Sequence, residues 1–346
     1  MSNKLRIGIT LGDVNGIGPE LIIKVFQDQR LKDLCTPILY GSSRAVNIYR
    51  KIMNVEKFHY QVIPNAAQAQ PKRLNIIECM ADLERVDIGK ASEIGGRAAH
   101  LALRRAIDDA LHRELDALVT LPVDKASLQQ VDPDFIGHTE LLARAFNVDD
   151  NLMLMASEEL RVGLVTNHLP LREVADALTV DKIVQKALML NETLEMDFGI
   201  RRPLIAILAL NPHAGDKGLI GSEEEMIVQA VEELKSQDIM AMGPYPADGY
   251  FGSLTYKKFH ATLAMYHDQG LIPFKLLAGY NGVNFTAGLP IVRTSPDHGV
   301  AYDIAGKDLA DPTSFRQALF MAIDLSKTRQ ENETLRAHSL DADESD

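Results

Sequence analysis

Three histidines each follow a short apolar segment, and this placement predicts a metal site. The segments are Arg161-Val-Gly-Leu-Val-Thr-Asn-His168, Leu204-Ile-Ala-Ile-Leu-Ala-Leu-Asn-Pro-His213 and Ala261-Thr-Leu-Ala-Met-Tyr-His267. A lone core histidine is usually only hydrogen-bonded. However, the apolar segments are typical of buried strands, and in an open α/β sheet ligands bind beyond the carboxyl ends of the strands. Three imidazoles at such ends can therefore converge. Three neutral imidazoles leave a divalent ion its full charge and an open position, as in catalytic sites. We therefore expect His168, His213 and His267 to bind one zinc, magnesium or cobalt ion.

Two aspartates lie close to these histidines in sequence and are candidates for proton transfer. Asp248 follows another extended segment, and Asp268 directly follows His267. Carboxylates commonly orient ligating imidazoles, and either residue could instead act as a general base. Lys125 is a third candidate for the base. An ordinary turn role for Asp248 is equally compatible with its position, because aspartate is frequent in turns.

A second set of residues has the chemistry of a polyanion site. Arginine binds carboxylate or phosphate through two parallel hydrogen bonds, and lysine supplies a compact charge. Gly137 before His138 and Thr139 lets backbone approach a ligand, although Thr139 could simply cap the following helix. Lys275, Asn284 and Arg293 are predicted to lie on loops between apolar segments. The candidate anion contacts are His138, Thr139, Lys275, Asn284 and Arg293.

The elements that must position these residues alternate between strands and helices, which predicts an α/β fold. Leu5–Thr10 leads through a glycine-rich loop, Leu11–Pro19, into a helix, and Ser92 begins a long amphipathic helix. The glycines of that loop do not form the dinucleotide fingerprint, so it could hold an anion or be a tight turn. We predict a first lobe at 1–130 plus 295–330, a second lobe at 131–294 and a flexible tail at 331–346.

Composition excludes several classes of protein. The chain has 346 residues, 46% hydrophobic and 24% charged, which is ordinary for a globular protein with a large core. A net charge of -12 argues against a nucleic-acid surface. Two cysteines without paired spacing indicate a reduced compartment, and no apolar run reaches membrane length. A cytoplasmic protein with neither a nucleic-acid nor a membrane partner is the simplest expectation.

Five motifs in fixed order resemble the 4-hydroxythreonine-4-phosphate dehydrogenase family of pyridoxal phosphate biosynthesis. The resemblance covers about Leu5 to Leu325 and rests on Gly12-Asp-Val-Asn-Gly-Ile-Gly-Pro-Glu20, Gly137-His-Thr-Glu140, Asn211-Pro-His-Ala-Gly215, Tyr266-His-Asp-Gln-Gly270 and Asp297-His-Gly-Val-Ala-Tyr-Asp-Ile-Ala-Gly306. It implies the same three metal ligands, the same five anion contacts, NAD or NADP as hydride acceptor, and a homodimer whose active site is shared between subunits. It also implies oxidation of 4-phosphohydroxy-L-threonine to a β-keto acid, which loses carbon dioxide.

The segment His298–Pro312 also resembles the adenosine-side loop of isocitrate and isopropylmalate dehydrogenases. This likeness implies a two-lobed α/β/α fold of the isocitrate/isopropylmalate dehydrogenase type. It also implies cofactor contacts from a set of loop residues, namely His298, Gly299, Asp303 and Gly306. The likeness also implies the same division of labour in catalysis as in those dehydrogenases. The cofactor takes the hydride, while the protein orients and polarises the substrate.

Several alternatives remain open at the level of sequence. The motifs depart from the family pattern at Val14, Asn15, Asn167, Pro296 and Val300. Related branches of the family oxidise phosphothreonate or phosphoerythronate, so the departures leave the exact substrate open. A metal hydrolase would use the three-histidine ion to activate water and would need no nicotinamide. A metal-stapled binding protein would show no turnover and would unfold without metal.

Overall fold

Two units make up the chain in the computed structural model, which describes residues 4–343 and side chains up to residue 338. Unit 1 comprises residues 1–149 and 289–326, and unit 2 comprises residues 150–288 and 327–346. Within residues 4–343, no helix combines the length and apolar character that crossing a membrane requires.

Strands and helices alternate along most of the chain, as the sequence predicted. The strands are β1 Arg6–Thr10, β2 Thr36–Gly41, β3 Tyr60–Ile63, β4 Leu74–Glu78, β5 Ala117–Thr120, β6 Leu152–Ala156, β7 Arg161–Leu164, β8 Leu204–Leu208, β9 Met240–Tyr245, β10 Ala261–Ala264, β11 Val283–Ala287 and β12 Val292–Pro296. The helices are α1 Gly18–Phe26, α2 Leu31–Leu34, α3 Ser43–Ile52, α4 Glu93–Leu111, α5 Lys125–Gln129, α6 His138–Ala145, α7 Leu171–Ala177, α8 Val180–Met196, α9 Glu224–Ser236, α10 Ala247–Gly252, α11 His267–Ala278 and α12 Thr313–Asp343. Short 3-10 turns span Ala66–Gln68, Pro212–Gly218, Thr255–Lys258 and Gly279–Asn281.

Unit 1 contains parallel strands in the order β3-β4-β2-β1-β5-β12. Strands buried on both faces are rich in apolar residues, and β1 and β2 are buried along almost their whole length. Because the strands are parallel, their carboxyl ends share one edge. The loops after β1, β5 and β12 therefore emerge side by side.

Unit 2 contains strands in the order β11-β6-β7-β10-β8-β9. Antiparallel pairing joins β11 to β6 and β6 to β7, whereas β7, β10, β8 and β9 run parallel. The three segments that end in histidine are thus β7, β10 and β8, which are consecutive neighbours. Their carboxyl ends meet at one edge of the sheet, as the apolar segments predicted.

Helix α11 differs from the sequence expectation, which placed Lys275 on a loop. Pro273 lies inside α11 and lacks the N–H that an interior helical residue donates, so sequence rules oppose a helix there. The helix persists because Leu271 and Phe274 are buried in the apolar core of unit 2. Gly270 allows close packing, since a Cβ there would lie 2.6 Å from Cγ1 of Val162.

The boundaries of the two units also differ from those drawn from the sequence. The observed divisions fall after residues 149, 288 and 326, whereas the predicted lobes divided at 130, 294 and 330. His138 and Thr139 consequently lie in unit 1, because α6 packs its Leu141 and Leu142 into that unit's core. The predicted tail, 331–346, is helical through Asp343, and its last three residues lie outside the described range.

An ion pair attaches this terminal helix to α8 and gives a stability prediction. Arg329 donates from Nε to Asp197 Oδ1 at 2.6 Å and from Nη2 to Oδ2 at 3.0 Å, with the side chains 14% and 5% exposed. Arg329→Met should lower the free energy of unfolding by roughly 3 kcal/mol, because it leaves a buried carboxylate without its cation. The matched control is Arg336→Met on the same helix, whose 3.8 Å pair with Glu192 is exposed and should contribute less than about 1 kcal/mol. Equal losses in urea titrations of the two variants would contradict the prediction.

Candidate active site

His168 and His267 are close neighbours in unit 2. Their ring centroids are 6.0 Å apart, and the ring planes are inclined by 40°. His168 follows β7, His267 begins α11 directly after β10, and these two strands are paired. His168 is exposed and His267 is partly exposed, so dissolved ions can reach both rings.

Asp268 sets the orientation of the His267 ring. Its Oδ1 lies 2.8 Å from Nδ1 of His267, which is the contact expected of a carboxylate that orients a ligating imidazole. With Nδ1 engaged, Nε2 is the nitrogen that would face a ligand. Asp248 is exposed in the first turn of α10, directly after β9, where it is accessible to a substrate.

His213 follows β8 on the 3-10 turn Pro212–Gly218, and the side chain is exposed. Among the residues that the structure describes, no group of three or more histidine, cysteine, aspartate or glutamate side chains is close enough to hold a metal ion. Strand order places His213 at the same sheet edge as the histidine pair, because β8 pairs with β10. Three imidazoles suit a divalent metal in their chemistry and share one sheet edge, but within the described residues only His168 and His267 are close to each other.

Gln269 connects two of these strand ends and was not singled out from the sequence. Its Oε1 accepts from the backbone N of Met265 at 2.8 Å, and its Nε2 donates to the carbonyl of Ala209 at 2.6 Å. It thereby links the residues that follow β10 to those that follow β8. The only feature of the sequence that could have identified Gln269 is its position as a polar amide within the motif Tyr266–Gly270.

The predicted anion contacts lie on regular elements and belong to both units. Lys275 is in α11 and Asn284 is in β11, both in unit 2, and Arg293 is in β12 of unit 1. The prediction that these three lie on loops was wrong, since tertiary packing rather than local polarity determines their conformation. Oδ1 of Asn284 is buried and has no hydrogen-bond partner among the described residues, which is uncommon for a buried polar atom.

Two of the predicted anion contacts, Arg293 and His138, lie in unit 1. Arg293 is only 3% exposed and donates to Oγ1 of Thr120 from Nη2 at 2.6 Å. Burial lowers the pKa of Arg293 to about 10, against an opposing effect of Glu140, so the side chain is cationic at neutral pH.

His138 and Thr139 begin α6, and Nε2 of His138 is buried without a partner in the described part of the chain. Burial, and then the charges of Arg293 and Lys125, lower the pKa of His138 to about 3. Its imidazole is therefore neutral and can donate one hydrogen bond to an anion.

This low pKa predicts an acid-side loss of stability. The folded pKa of His138 lies below the ordinary value of 6.5, so the unfolded chain binds the extra proton first and stability falls as pH drops from 6.5 toward 3. Urea titrations should give His138→Gln a shallower decline than the parent chain over that range, by at most about 1.4 kcal/mol per pH unit. Parallel pH profiles would contradict the inferred neutral imidazole.

The predicted cofactor loop packs against the glycine loop within unit 1. The N–H of Ile17 donates to the carbonyl of Val300 at 3.1 Å, and the hydroxyl of Tyr302 donates to Oδ2 of Asp13 at 2.5 Å. A Cβ at Gly16 would lie 2.7 Å from the carbonyl oxygen of Val300, so this glycine permits the contact. Burial raises the pKa of Asp13, which belongs to the first of the five motifs.

Among the predicted cofactor contacts, His298 has a nitrogen available for a ligand. Its Nδ1 lies 3.0 Å from the carbonyl oxygen of Gly299, and its Nε2 is buried without a partner among the described residues. Burial lowers the pKa of His298, which favours a neutral ring. Asp303 is exposed, and Gly306 has a φ of 72°. These features fit a loop that contacts a polar nucleotide.

Parallel strands that are followed at their carboxyl ends by histidines and aspartates are typical of an α/β enzyme. Similarity to known proteins identifies which one. The chain belongs to the family "Pyridoxal phosphate biosynthetic protein PdxA", which matches residues 33–322. A 4-hydroxythreonine-4-phosphate dehydrogenase from Bacteroides thetaiotaomicron is 46% identical over 340 residues, covering 98% of this chain and 93% of that protein. The solved structure of the Klebsiella pneumoniae enzyme of the same name has a TM-score of 0.82 and 33% identity, covering 94% of this chain and 98% of that one.

A second kind of relative carries a different substrate in its name. A protein from Oceanobacillus iheyensis, provisionally named D-threonate 4-phosphate dehydrogenase, is 37% identical over 335 residues, covering 95% of this chain and all of that protein. The family predicted from the five motifs is confirmed, and the α/β fold is that of the solved 4-hydroxythreonine-4-phosphate dehydrogenases. The chain is accordingly an oxidoreductase.

Proposed function

We propose that the protein oxidises 4-phosphohydroxy-L-threonine with NAD or NADP and a divalent metal, and that it acts in the cytoplasm as a homodimer with a shared active site. The observation that carries the proposal is the placement of His168, His213 and His267 after three adjacent parallel strands in a member of the PdxA family. The product β-keto acid loses carbon dioxide to give 3-amino-2-oxopropyl phosphate.

The metal ligands in this proposal are the three imidazoles, and His298, Gly299, Asp303 and Gly306 contact the cofactor. When bound, the metal supplies Lewis-acid polarisation and the nicotinamide accepts a hydride. Asp268 is already engaged with His267 and orients it. The exposed Asp248 is then the carboxylate that takes the hydroxyl proton, whereas Lys125 contributes charge beside His138.

Substrate recognition is assigned to the anion-binding residues of each unit. In unit 1, cationic Arg293 and neutral His138 donate to the phosphate or carboxylate, together with Thr139. In unit 2, Lys275 supplies charge, and Asn284 presents an amide whose Oδ1 is buried without a partner among the described residues. Cations and neutral donors of these kinds suit an anionic group such as a phosphate or a carboxylate.

The direct test follows the reduced-nicotinamide absorbance of purified protein with 4-phosphohydroxythreonine, NAD or NADP, and a divalent metal. We expect metal-dependent reduction that a chelator abolishes and that His213→Ala lacks. Turnover of a phosphorylated substrate without nicotinamide would instead support a metal hydrolase. Failure to reduce either cofactor with any family substrate, despite bound metal, would overturn the proposal.

A second candidate is oxidation of a phosphorylated sugar acid, such as phosphothreonate or phosphoerythronate. The named relative from Oceanobacillus iheyensis, at 37% identity, favours including it. The same assay distinguishes the two because the substrates are compared by kcat/KM under identical conditions. A higher kcat/KM for phosphothreonate would assign the chain to that branch of the chemistry.

A further inference from the structure

Glu224 is a buried carboxylate at the start of α9. The run Glu223–Glu225 has the pattern of a solvated helix start that complements the helix dipole, yet Glu224 is only 7% exposed. Its Oε1 accepts from the backbone N of Leu210 at 3.1 Å and from that of Asn211 at 2.6 Å. Its Oε2 accepts from Nδ2 of Asn211 at 3.0 Å. The carboxylate therefore binds the segment that joins β8 to His213.

These hydrogen bonds hold the beginning of the turn that carries His213. Leu210 and Asn211 directly precede the turn Pro212–Gly218. The same carboxylate also lies against the middle of the turn, since a Cβ at Gly215 would be 2.6 Å from Oε2 of Glu224. One side chain thus contacts both the segment that leaves β8 and the turn that follows it.

The backbone of the turn requires such support. His213, Ala214, Asp216 and Lys217 have φ between 43° and 58°, in the left-handed region that L-residues rarely adopt. Strained backbone of this kind persists where surrounding contacts over-determine it, and it clusters at functional sites. Backbone N–H groups that donate to carbonyls in and beside the turn include Ala214 N to Asn211 O at 3.2 Å, Leu219 N to Asp216 O at 3.2 Å and Ile220 N to Gly215 O at 3.1 Å.

We infer that Glu224 is a positioning residue that holds His213 in place for metal binding. The inference rests on the proposed metal site, because a positioning role for Glu224 requires that His213 binds the metal ion. Glu224 acts through the backbone and through Asn211, and it does not itself ligate the ion. Residues that orient metal ligands typically contribute roughly 10–100-fold to metal affinity.

The test is a titration of the chelator-treated full chain with Co²⁺, whose visible absorption reports its coordination geometry. We expect Glu224→Ala to raise the Co²⁺ dissociation constant at least tenfold and to alter the spectrum of the bound ion. Glu224→Gln should recover part of the affinity, since its amide oxygen can still accept from the two backbone N–H groups. The matched control is Glu225→Ala, which removes the adjacent exposed carboxylate and should leave both readouts unchanged.

The outcomes separate this inference from the proposed function. If the parent chain does not bind Co²⁺, the proposed metal site fails and the inference fails with it. If the parent chain binds and folded Glu224→Ala binds equally well with the same spectrum, only the positioning role is overturned, even if thermal stability in chelator has dropped. Should Glu224→Ala fail to fold, Asn211→Ala and Glu224→Gln decide: weaker binding by both supports the inference, and parental affinity in both overturns it.

Discussion

Replacing His267 by alanine should remove tightly bound metal and lower kcat/KM on the order of 10³-fold or more. A Lewis-acid contribution of several kcal/mol is lost with the ligand, and each 1.4 kcal/mol is about tenfold in rate. We choose His267 because its ring lies beside that of His168 and is already oriented by Asp268, as expected of a metal ligand. The measurement combines the metal content of dialysed protein with steady-state kinetics.

Two companion variants sharpen this prediction. Asp268→Ala keeps the imidazole but removes the carboxylate that orients it, so a smaller loss of roughly 10–100-fold is expected. His59→Ala removes an exposed histidine in unit 1 and should leave both metal content and rate at parental values. Parental metal content in His267→Ala would show that this ring is not a ligand.

Arg293→Met should lower kcat/KM roughly 10²–10³-fold, mainly through a higher KM. In the proposed complex Arg293 pairs with an anionic group of the substrate, and truncating one partner of a buried, hydrogen-bonded charge pair costs about 2–5 kcal/mol. Arg293 itself is 3% exposed and cationic at neutral pH. Arg293→Lys should lie between, because lysine keeps the charge but loses the planar fork. The readout is KM against kcat for the phosphorylated substrate, with thermal unfolding to confirm that the variant is folded.

The control for the arginine variant removes a cation of the same unit that is not buried. Arg144 is exposed on α6, so Arg144→Met should leave KM within about twofold if long-range charge is screened. An unchanged KM in folded Arg293→Met would exclude a direct contact between this arginine and the substrate. A similar rise in KM for both variants would point to general electrostatic attraction instead.

Local patterns were sufficient to predict most elements of the fold. The helix after Ser92 begins as expected, with the serine Oγ accepting from the N–H of Gly95 at 3.1 Å. The strands before the three histidines were predicted from apolar runs, and the structure has strands in all three segments. Patterns of this kind depend on neighbouring residues alone, which is why sequence is enough to recognise them.

The family and the residue types of the candidate site also followed from sequence, because five motifs in order constrain chemistry without coordinates. Three features depended on contacts between residues far apart in the chain. Packing of Leu271 and Phe274 sustains a helix through Pro273, the hydrogen bonds from Leu210 and Asn211 hold Glu224 below the surface, and β12 places Arg293 beside Thr120. A local sequence pattern reports only the conformation and exposure that a residue prefers in the absence of contacts with distant parts of the chain. The tertiary structure decides the rest, since burial and hydrogen bonding by distant partners outweigh preferences of about 1 kcal/mol per residue.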